Sequence, residues 1–352
     1  MNSRKFLITI LFVLGFSAVF AQHETLENEK FDPGKFIIHH VMDSYEWHMA
    51  TFGDFELSIP LPVIVYSKER HHWYVFFSNK LRDGKEYKGF FIHHGEPYDG
   101  KVVEKNAQGQ IVRPIDLSIT KVVLAIWISI ALLIWMFSSF AKKYKSNPLD
   151  PPKGFRALME PLILFIRDDV AKSAIGEEEY ERFTPFLLTV FFFIFLNNLM
   201  GLIPIFPGGA NVTGNIAVTA VLALFTFVIT TINGTKHYWK HIFWNPDVPW
   251  WLKVPLPLMP LVELLGVFTK PTVLMIRLFA NVLGGHIVMI TFFTLIFVFG
   301  GISVAAGYGV SVLSVAFTVF ISFLEMLVAF IQAYVFTLLS AIYFGMAIEK
   351  DH

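Results

Sequence analysis

The sequence of 352 residues contains no cysteine. This absence excludes a disulfide framework, a thiolate metal site and a cysteine nucleophile. Charged residues are also scarce, at 16% of the chain, and the 28 basic residues are balanced by 28 acidic ones, which leaves no cationic excess for nucleic acid. The sequence has no Walker loop, no G-x-S-x-G and no HExxH, so the motifs of common nucleotide-binding and hydrolytic sites are missing. Soluble enzymes and nucleic-acid-binding proteins are therefore disfavoured.

Hydrophobic residues, in contrast, make up 55% of the chain, and the mean hydropathy is +0.56. Both values lie outside the range of soluble globular domains. The apolar residues are unevenly spread, with long uncharged runs after residue 118 and an ordinary mixed sequence from 22 to 118. We therefore expect an all-α polytopic membrane protein that carries a separate N-terminal domain.

The first residues have the pattern of a secretory signal peptide. Arg4 and Lys5 precede an apolar run that ends at Ala21, and this run of about 15 residues is shorter than the roughly 20 that a membrane-spanning helix needs. We predict a signal peptide at residues 1–21, cut after Ala21, with an uncleaved first span as the alternative. Cleavage would place residues 22–118 outside the cytoplasm.

Residues 22–118 are predicted to form a small β-rich extracytoplasmic domain. A short helix is expected from Gly34 to Thr51, followed by strand-like runs at 55–67, 73–78 and 87–93. Turn sequences containing glycine, at 82–84, 98–100 and 108–109, separate or follow the runs.

Histidine doublets occur three times in this domain, at His39-His40, His71-His72 and His93-His94. Adjacent residues on a strand point to opposite faces, so a doublet cannot chelate a metal as an i, i+4 helical pair does. We therefore assign no metal site and no cofactor, and interpret the doublets as surface or core histidines.

The remaining residues, 119–352, are predicted to form the membrane domain. Five spans are expected, at about 119–140, 183–205, 214–233, 256–298 and 310–348. A helical stretch at 155–175 is too charged to span and is expected to lie along the cytoplasmic surface. Lysines follow the first span at 142–145 and the third at 236–240, so the positive-inside rule places these ends and the C-terminus in the cytoplasm.

The last two spans are unusually long. Each has around 40 residues, twice what a perpendicular crossing requires, so we predict a strongly tilted hairpin that turns at Gly300–Gly309 and wraps around a neighbour. If the two helices fold back on each other at a point between residues 304 and 305, residues at equal distance from the turn lie opposite each other. The numbers of such a pair add up to about 609. Arg277 then lies opposite Gln332, and His286 opposite Glu325 to within about one helical turn.

These polar residues are the candidate functional groups, because a charge in the bilayer interior is costly and functional by default. At about 100° per residue, one stripe is formed on each helix: Glu263, Arg277 and Asn281 on the first, and Glu325, Gln332 and Tyr343 on the second. Proton-carrying groups thus flank a fixed guanidinium on both sides, as a proton path with two entrances requires. The alternative is that the His–Glu pair and the amides are only buried hydrogen bonds between helices. We expect the counter-charge of Arg277 on another chain.

Several motifs of this region closely resemble the a subunit of F-type ATP synthases, the stator channel of a proton-driven rotary motor. They are RLFANVLGGH at 277–286, Glu263, Lys270-Pro271 and EMLVAFIQAYVFTLLSAIYFGMA at 325–347, within a resemblance that covers about residues 119–350. It implies that Arg277 is the stator arginine, with Asn281 and Gln332 as its neighbours. It also implies that Glu263 belongs to the cytoplasmic half-channel, and His286 with Glu325 to the other. Family members commonly hold Glu and His at these last two positions in the opposite order.

The resemblance also implies partners and location. The chain is expected in the cell inner membrane, bound to lipid, to a ring of c subunits whose essential carboxylate faces Arg277, to b-type peripheral stalk subunits and to the remaining synthase subunits. Nucleotide catalysis would then reside on other subunits, so the chain is no enzyme by itself. Residues 22–118 lie outside the resemblance.

Two other functions remain open at this point. A secondary cation/proton transporter would use Arg277 to hold a substrate anion, although such transporters usually contain internal repeats, which the sequence lacks. A membrane-anchored binding protein would act through residues 22–118, and replacement of Arg277 would then be harmless.

Overall fold

The computed structural model describes residues 34, 42–52, 55–95, 97–106, 108–146, 151, 153–203, 206–244 and 258–349. The proposed signal peptide and the doublet His39-His40 lie outside the described residues. The chain divides into two compact units, one containing Asp43–Leu124 and the other containing Ala125–Ile203 and Pro207–His352. Each unit is described by itself.

The first unit is built of eight short strands in three antiparallel sheets, as far as the described residues extend, which confirms the predicted β-rich domain. One sheet pairs β1 (Glu46–Phe52) with β2 (Phe55–Pro60). In the second, β3 (Pro62–Ser67) lies between β4 (His72–Phe77) and β8 (Ile115–Asp116). In the third, β6 (Lys101–Lys105) lies between β5 (Phe90–His93) and β7 (Ile111–Val112). A short 3₁₀ helix at Ser78–Gly84 follows β4.

The predicted helix at Gly34–Thr51 is wrong over its described C-terminal half, where β1 begins at Glu46. Tyr45 and Trp47 are buried, whereas His48 is exposed. This alternation has the period of a strand, and Trp47 pairs with Ile59 of β2. Pairing with β2 therefore decides the conformation of a short segment whose local pattern is ambiguous. Residues 35–41 of the predicted helix lie outside the described residues.

The core of this unit lies on one face of β3. Val63 and Val65 are fully buried against Phe76 and Phe90. Tyr45 closes the core, and its hydroxyl donates a hydrogen bond to Oδ2 of Asp116. Burial, and then the Asp116 carboxylate, raises the pKa of Tyr45 above its usual range. The phenol therefore stays protonated and links β8 to the start of β1.

The second unit is helical. The first turn of its first helix, α1, extends into the first unit. Its helices are α1 (Lys121–Ser146), α2 (Phe155–Leu164), a π-helical segment (Phe165–Lys172), α3 (Ser173–Ile175), α4 (Tyr180–Leu202), α5 (Ile216–Ile232), α6 (Lys236–Trp244), α7 (Leu258–Ile302) and α8 (Val304–Ile348). Four helices in the described ranges are long and apolar enough to cross a membrane, or five if α5 and α6, which meet at 99°, form one broken span. The predicted fold of about five membrane helices is confirmed.

Phenylalanine packing holds the helices together. Phe183 of α4 stacks on Phe344 of α8 with ring centroids 5.0 Å apart, and Phe191 of α4 meets Phe330 of α8 edge to face. Helix α4 is the most enclosed of the membrane-capable helices, whereas few residues in the most apolar stretches of α7 and α8 are buried. The long hairpin therefore presents a wide apolar surface to its surroundings.

Helices α7 and α8 have 45 residues each, which corresponds to about 68 Å. A hydrocarbon core of about 30 Å cannot hold such a helix upright. Their length therefore favours the predicted strong tilt.

The turn of this hairpin is tighter than predicted. Only Ser303 lies outside the two helices, and its hydroxyl caps α8 by accepting a hydrogen bond of 3.1 Å from the backbone N–H of Ala306. The glycines assigned to a turn at Gly300–Gly309 instead stay helical. A Cβ on Gly307 would lie 2.9 Å from the Cα of Gly300, so these glycines allow the two backbones to approach closely.

The predicted register of the hairpin is confirmed. Phe292 of α7 stacks on Phe317 of α8, whose numbers add up to 609, with ring centroids 5.3 Å apart. Ser322 and Met289, whose numbers add up to 611, are also in contact, because the hydroxyl of Ser322 lies 3.7 Å from the sulfur of Met289. Residues that face each other across the hairpin are thus those expected from the sequence.

Candidate functional site

Arg277 lies on the outward face of α7. Its side chain is exposed, whereas Leu274 and Leu278 on the same helix are buried. Asn281, one turn further along, is also exposed. None of the ion pairs formed between described residues involves Arg277. The guanidinium and the neighbouring amide are therefore available to a partner outside the chain.

Gln332 lies at the level of Arg277 but on the buried face of α8, beside Ala333 and Phe336. The hydrogen bonds among the described residues do not join Arg277 to Gln332. The structure therefore brings the two residues to one level without making them a bonded pair.

His286 and Glu325 lie at a second level of the hairpin. The half-buried carboxylate of Glu325 occupies the space where a Cβ on Gly285 would be, which brings α8 into close contact with α7 beside His286. Nε2 of His286 lies 3.3 Å from where a Cβ on Gly201 of α4 would be. Two glycines thus make room for the imidazole and the carboxylate between three helices.

His286 and Glu325 form the centre of a group that we call the outer polar cluster. Buried amides and hydroxyls of α4 and of the segment after it extend this cluster. Asn198 donates a hydrogen bond of 3.4 Å to the backbone oxygen of Ala329, one turn beyond Glu325, and its own oxygen accepts from the hydroxyl of Thr213. Oε2 of Glu325 and Nδ2 of Asn211 are buried and have no hydrogen-bond partner among the described residues. Unsatisfied polar atoms of this kind favour a neighbouring water or proton-accepting group.

A separate inner polar cluster surrounds Glu263. The carboxylate interacts electrostatically with Lys270 on the same helix and with Tyr238 of α6. The ammonium of Lys270 lies 5.6 Å from the ring centre of Tyr343 on α8, and Tyr343 also interacts electrostatically with Arg277. Tyr343 therefore connects the level of Arg277 to the Glu263 end of the hairpin.

Hydroxyl groups line a narrow cavity beside this inner cluster. Its polar walls are formed by Thr226, Thr230, Thr231, Tyr238, Lys270 and Tyr343. Thr226 also lies 3.2 Å from Ser340 of α8, oxygen to oxygen. The volume of this cavity is about 10 Å³, which is at the lower limit for a single water molecule.

Part of both clusters is not predicted by the sequence. Lys270 is recognisable only as part of a motif, and Asn198 and the threonines of α5 have no spacing that marks them as functional. The available signal was the presence of amides and hydroxyls in the long uncharged stretch around α4 and α5. Their placement against α7 and α8 required the tertiary packing.

The described histidine doublets of the first unit lie at the surface, where His71, His72 and His94 are exposed, and one histidine of each doublet contacts an aromatic ring. The ring of His72 packs on Tyr74 at 5.2 Å, and that of His93 packs on Phe91 at 6.4 Å. In the part of the chain that the structure describes, no three His, Asp or Glu side chains are grouped to hold a metal ion.

Comparison with known proteins agrees with these observations. Residues 123–345 match the model of the ATP synthase A chain, and residues 36–117 match a domain of unknown function. The chain is 42% identical over 276 residues to ATP synthase subunit a of Chlorobium phaeobacteroides (strain DSM 266 / SMG 266 / 2430). The aligned stretch covers 75% of this chain and 76% of the relative.

Two further relatives have the same name. ATP synthase subunit a of Chloroherpeton thalassium is 46% identical over 244 residues, 67% of this chain and 69% of the relative. That of Myxococcus xanthus is 44% identical over 245 residues, 68% of this chain and 75% of the relative. The family match extends over α1–α8, the helices that carry Arg277 and both polar clusters. The chain belongs to the ATP synthase A chain family.

Proposed function

We propose that the chain is the proton-translocating a subunit of an F-type ATP synthase and couples transmembrane proton flow to rotation of a c-subunit ring. The observation that carries this proposal is the position of Arg277. It is exposed on α7, and the outer cluster around His286 and Glu325 is separate from the inner cluster around Glu263. The names of the relatives support the same function.

The proposed orientation follows from the distribution of lysines. The last turns of α1 contain lysines, and α5 is followed by Lys236, so these ends lie in the cytoplasm by the positive-inside rule, together with the C-terminus. The domain at 22–118 is extracytoplasmic, the signal peptide occupies residues 1–21, and the membrane domain at 119–352 lies in the cell inner membrane. The outer cluster then opens to the outside and the inner cluster to the cytoplasm.

Protons enter through the outer cluster in this proposal. His286 suits the task because an imidazole exchanges protons near neutral pH, and the carboxylate of Glu325 lies at the same level. The proton neutralises a carboxylate of the c-subunit ring that faces the hairpin. A neutral acid can then move into lipid, whereas an ionised carboxylate there is prohibitively costly.

Protons leave through the inner cluster after the ring has turned. The ring acid ionises toward Glu263, with Tyr343 and the hydroxyls of α5 along the path. Arg277 stabilises the ionised carboxylate between the clusters, and its fixed positive charge blocks direct proton transfer from one cluster to the other. Asn281 and Gln332 help to position the ring carboxylate and the guanidinium of Arg277.

The proposal assigns the chemistry of ATP to other subunits. The partners are the c-subunit ring, the b-type peripheral stalk and the remaining synthase subunits, and the chain needs no cofactor of its own. The family match over residues 123–345 lends no support to a secondary transporter or to a binding protein that acts through its N-terminal domain.

The test is ATP-driven proton pumping in inverted membrane vesicles with Arg277→Ala or Arg277→Lys. Because a mobile or missing cation no longer holds the ring carboxylate, pumping is expected to disappear in Arg277→Ala and to fall at least about tenfold in Arg277→Lys, the loss expected from about 1.4 kcal/mol. Co-purification of the ring and stalk subunits checks assembly. Ile134→Ala, at an exposed position of α1, is the control. Normal pumping in both arginine variants contradicts the proposal.

A further inference from the structure

One face of the second sheet in the N-terminal domain is entirely apolar. The register of β3 with β4 places Pro62 opposite Phe77, Ile64 opposite Val75, and Tyr66 opposite Trp73. On the other side of β3, Tyr66 pairs with Ile115. The pairing continues past β8, because the N–H groups of Leu117 and Ile119 donate to the backbone oxygens of Ile64 and Pro62, at 2.9 and 3.0 Å.

Nine residues in three rows therefore share this surface, which we call the apolar sheet face. The first row is Phe77, Pro62 and Ile119, the second is Val75, Ile64 and Leu117, and the third is Trp73, Tyr66 and Ile115. The alternate residues of β3, Val63 and Val65, point into the core. The apolar sheet face is thus additional to the face that builds the domain.

The apolar sheet face is open. Val75 is 65% exposed, Leu117 61%, Phe77 55%, Trp73 48% and Ile115 45%. Contiguous apolar surface of this kind marks an interaction site in most proteins. A sheet that is hydrophobic on both faces needs a second covering layer.

The first row lies directly beside the start of a membrane-capable helix. Only Thr120 separates Ile119 from Lys121, where α1 begins. The backbone N–H of Lys121 donates to the oxygen of Ser44 at 2.9 Å, and that of Val122 donates to Oδ1 of Asp43 at 3.1 Å. The first turn of α1 is therefore tied by hydrogen bonds to the residues that precede β1, and it belongs to the same compact unit. The first row is thus joined to the start of α1 through a single residue.

The composition of the rows changes with distance from α1. At about 3.4 Å per residue, successive rows are about 7 Å apart. The two rows nearest the helix contain only aliphatic residues, proline and Phe77. The third row contains Trp73 and Tyr66, which have a polar atom on an aromatic ring. The turn after them, Lys68–His71, is polar and exposed.

This gradient distinguishes lipid from protein as the covering layer. A bilayer leaflet changes from hydrocarbon to an interface that favours Trp and Tyr, and then to water. A protein interface is instead apolar at its centre and polar around its whole rim. The apolar sheet face follows the first pattern, with one apolar end beside the membrane helix and one polar end away from it.

We infer that the apolar sheet face is a lipid-binding surface that lies in the leaflet where α1 begins, in contact with phospholipid acyl chains and the glycerol region. The domain then rests on the bilayer through Phe77, Val75 and Leu117, while Trp73 and Tyr66 lie at the headgroup level. This function is independent of proton translocation.

The absence of cysteine allows a direct test. Val75→Cys, Leu117→Cys and Ile115→Cys are spin-labelled one at a time in the assembled complex, which is reconstituted into vesicles of phosphatidylcholine and phosphatidylglycerol. Collision rates with molecular oxygen, which concentrates in lipid, and with a water-soluble nickel chelate are measured. Gln108→Cys, at an exposed turn of the same domain, is the control, and complex carrying the cysteine-free chain gives the background.

The expected result is a higher ratio of oxygen to nickel collisions at Val75, Leu117 and Ile115 than at Gln108. Nickel collision rates as high as those at Gln108 would show that the face is in water and overturn the inference. A label that is immobile and shielded from both reagents would show that a protein subunit covers the face, which also overturns it. The three labelled positions are exposed, so a failure of one variant to assemble leaves the other two to decide.

Discussion

At the scale of single residues, two glycines determine how closely polar groups meet between the helices. Gly285 leaves room for the carboxylate of Glu325, and Gly201 leaves room for the imidazole of His286. The sequence predicted His286 and Glu325 as a pair because their numbers place them level in an antiparallel hairpin. It did not predict Gly201, because contacts between α4 and α7 depend on packing rather than on spacing.

Replacement of Gly285 by alanine tests this arrangement. The new Cβ overlaps with Oε1 of Glu325, so the carboxylate at the end of this flexible side chain must move away from its position beside His286. We expect Gly285→Ala to reduce ATP-driven proton pumping while the complex still assembles. Gly284→Ala is the matched control, because a Cβ there has open space. Equal pumping by the two variants would show that the position of Glu325 is unimportant.

Tyr45 provides a second test, in the N-terminal domain. Its raised pKa comes from burial and from Asp116, so the folded domain holds the phenolic proton more tightly than the unfolded chain does. The resulting stability is present below about pH 10, the unperturbed value for tyrosine, and is lost as the pH rises further. Tyr45→Phe loses the hydrogen bond to Asp116, which typically costs about 1–2 kcal/mol.

The rate of limited proteolysis of the domain in the assembled complex measures this effect, since cleavage follows the population of opened molecules. The wild-type rate is expected to rise above pH 10. The Tyr45→Phe rate is expected to be higher at pH 8 and to rise less above pH 10. Tyr98→Phe, in an exposed turn, is the control. A wild type and a Tyr45→Phe variant with the same pH profile would contradict the role of this phenol.

At the scale of secondary structure, periodicity and residue numbering predicted the long elements better than the short ones. The register of α7 and α8 followed from one assumption about the turn, because two long helices in contact have few ways to align. The turn lies within the predicted stretch but is shorter, since glycine in a membrane helix can serve close packing as well as chain reversal. The helix expected at Gly34–Thr51 failed over β1 because a short segment takes its conformation from its partner strand.

The pairing of α7 with α8 predicts the effect of exchanging the side chains of His286 and Glu325. The family resemblance implies that Glu and His can stand in the opposite order at the positions of His286 and Glu325, so we expect the pair to need one acid and one imidazole rather than a fixed position for each. His286→Glu alone leaves two carboxylates at one level, and like charges repel. Glu325→His alone leaves two imidazoles and no acid. Each single variant is expected to pump less than the wild type.

The double variant His286→Glu with Glu325→His is expected to pump better than either single variant, because it restores the mixed pair. Initial rates of ΔpH formation, divided by the amount of assembled complex, measure the coupling between the two positions. A double variant no better than the weaker single variant would show that the two side chains act independently.

At the scale of the whole molecule, the composition predicted a membrane protein with an N-terminal domain, and the motifs predicted the family. The function of the domain could not be predicted from the sequence, because its histidines have no metal-binding spacing and its strands carry no catalytic motif. The structure adds the two separate polar clusters, and all of the residues in them belong to the second compact unit. The residues of the proposed proton path therefore lie in a different compact unit from the strands of the N-terminal domain.

This separation predicts that the domain is dispensable for the proton path itself. Deletion of residues 23–115, with residues 1–22 retained, leaves Arg277 and both polar clusters in place, so the rate of ATP-driven pumping per assembled complex is expected to stay within about twofold of the wild type, a change of about 0.4 kcal/mol. The same deletion combined with Arg277→Ala is expected to abolish pumping, which distinguishes coupled transport from a leak. If the deletion abolishes pumping while the ring and stalk subunits still co-purify, the domain must take part in proton entry. If it only lowers the amount of assembled complex, the domain acts in assembly, where contact between its apolar sheet face and lipid would help to hold α1 in the membrane.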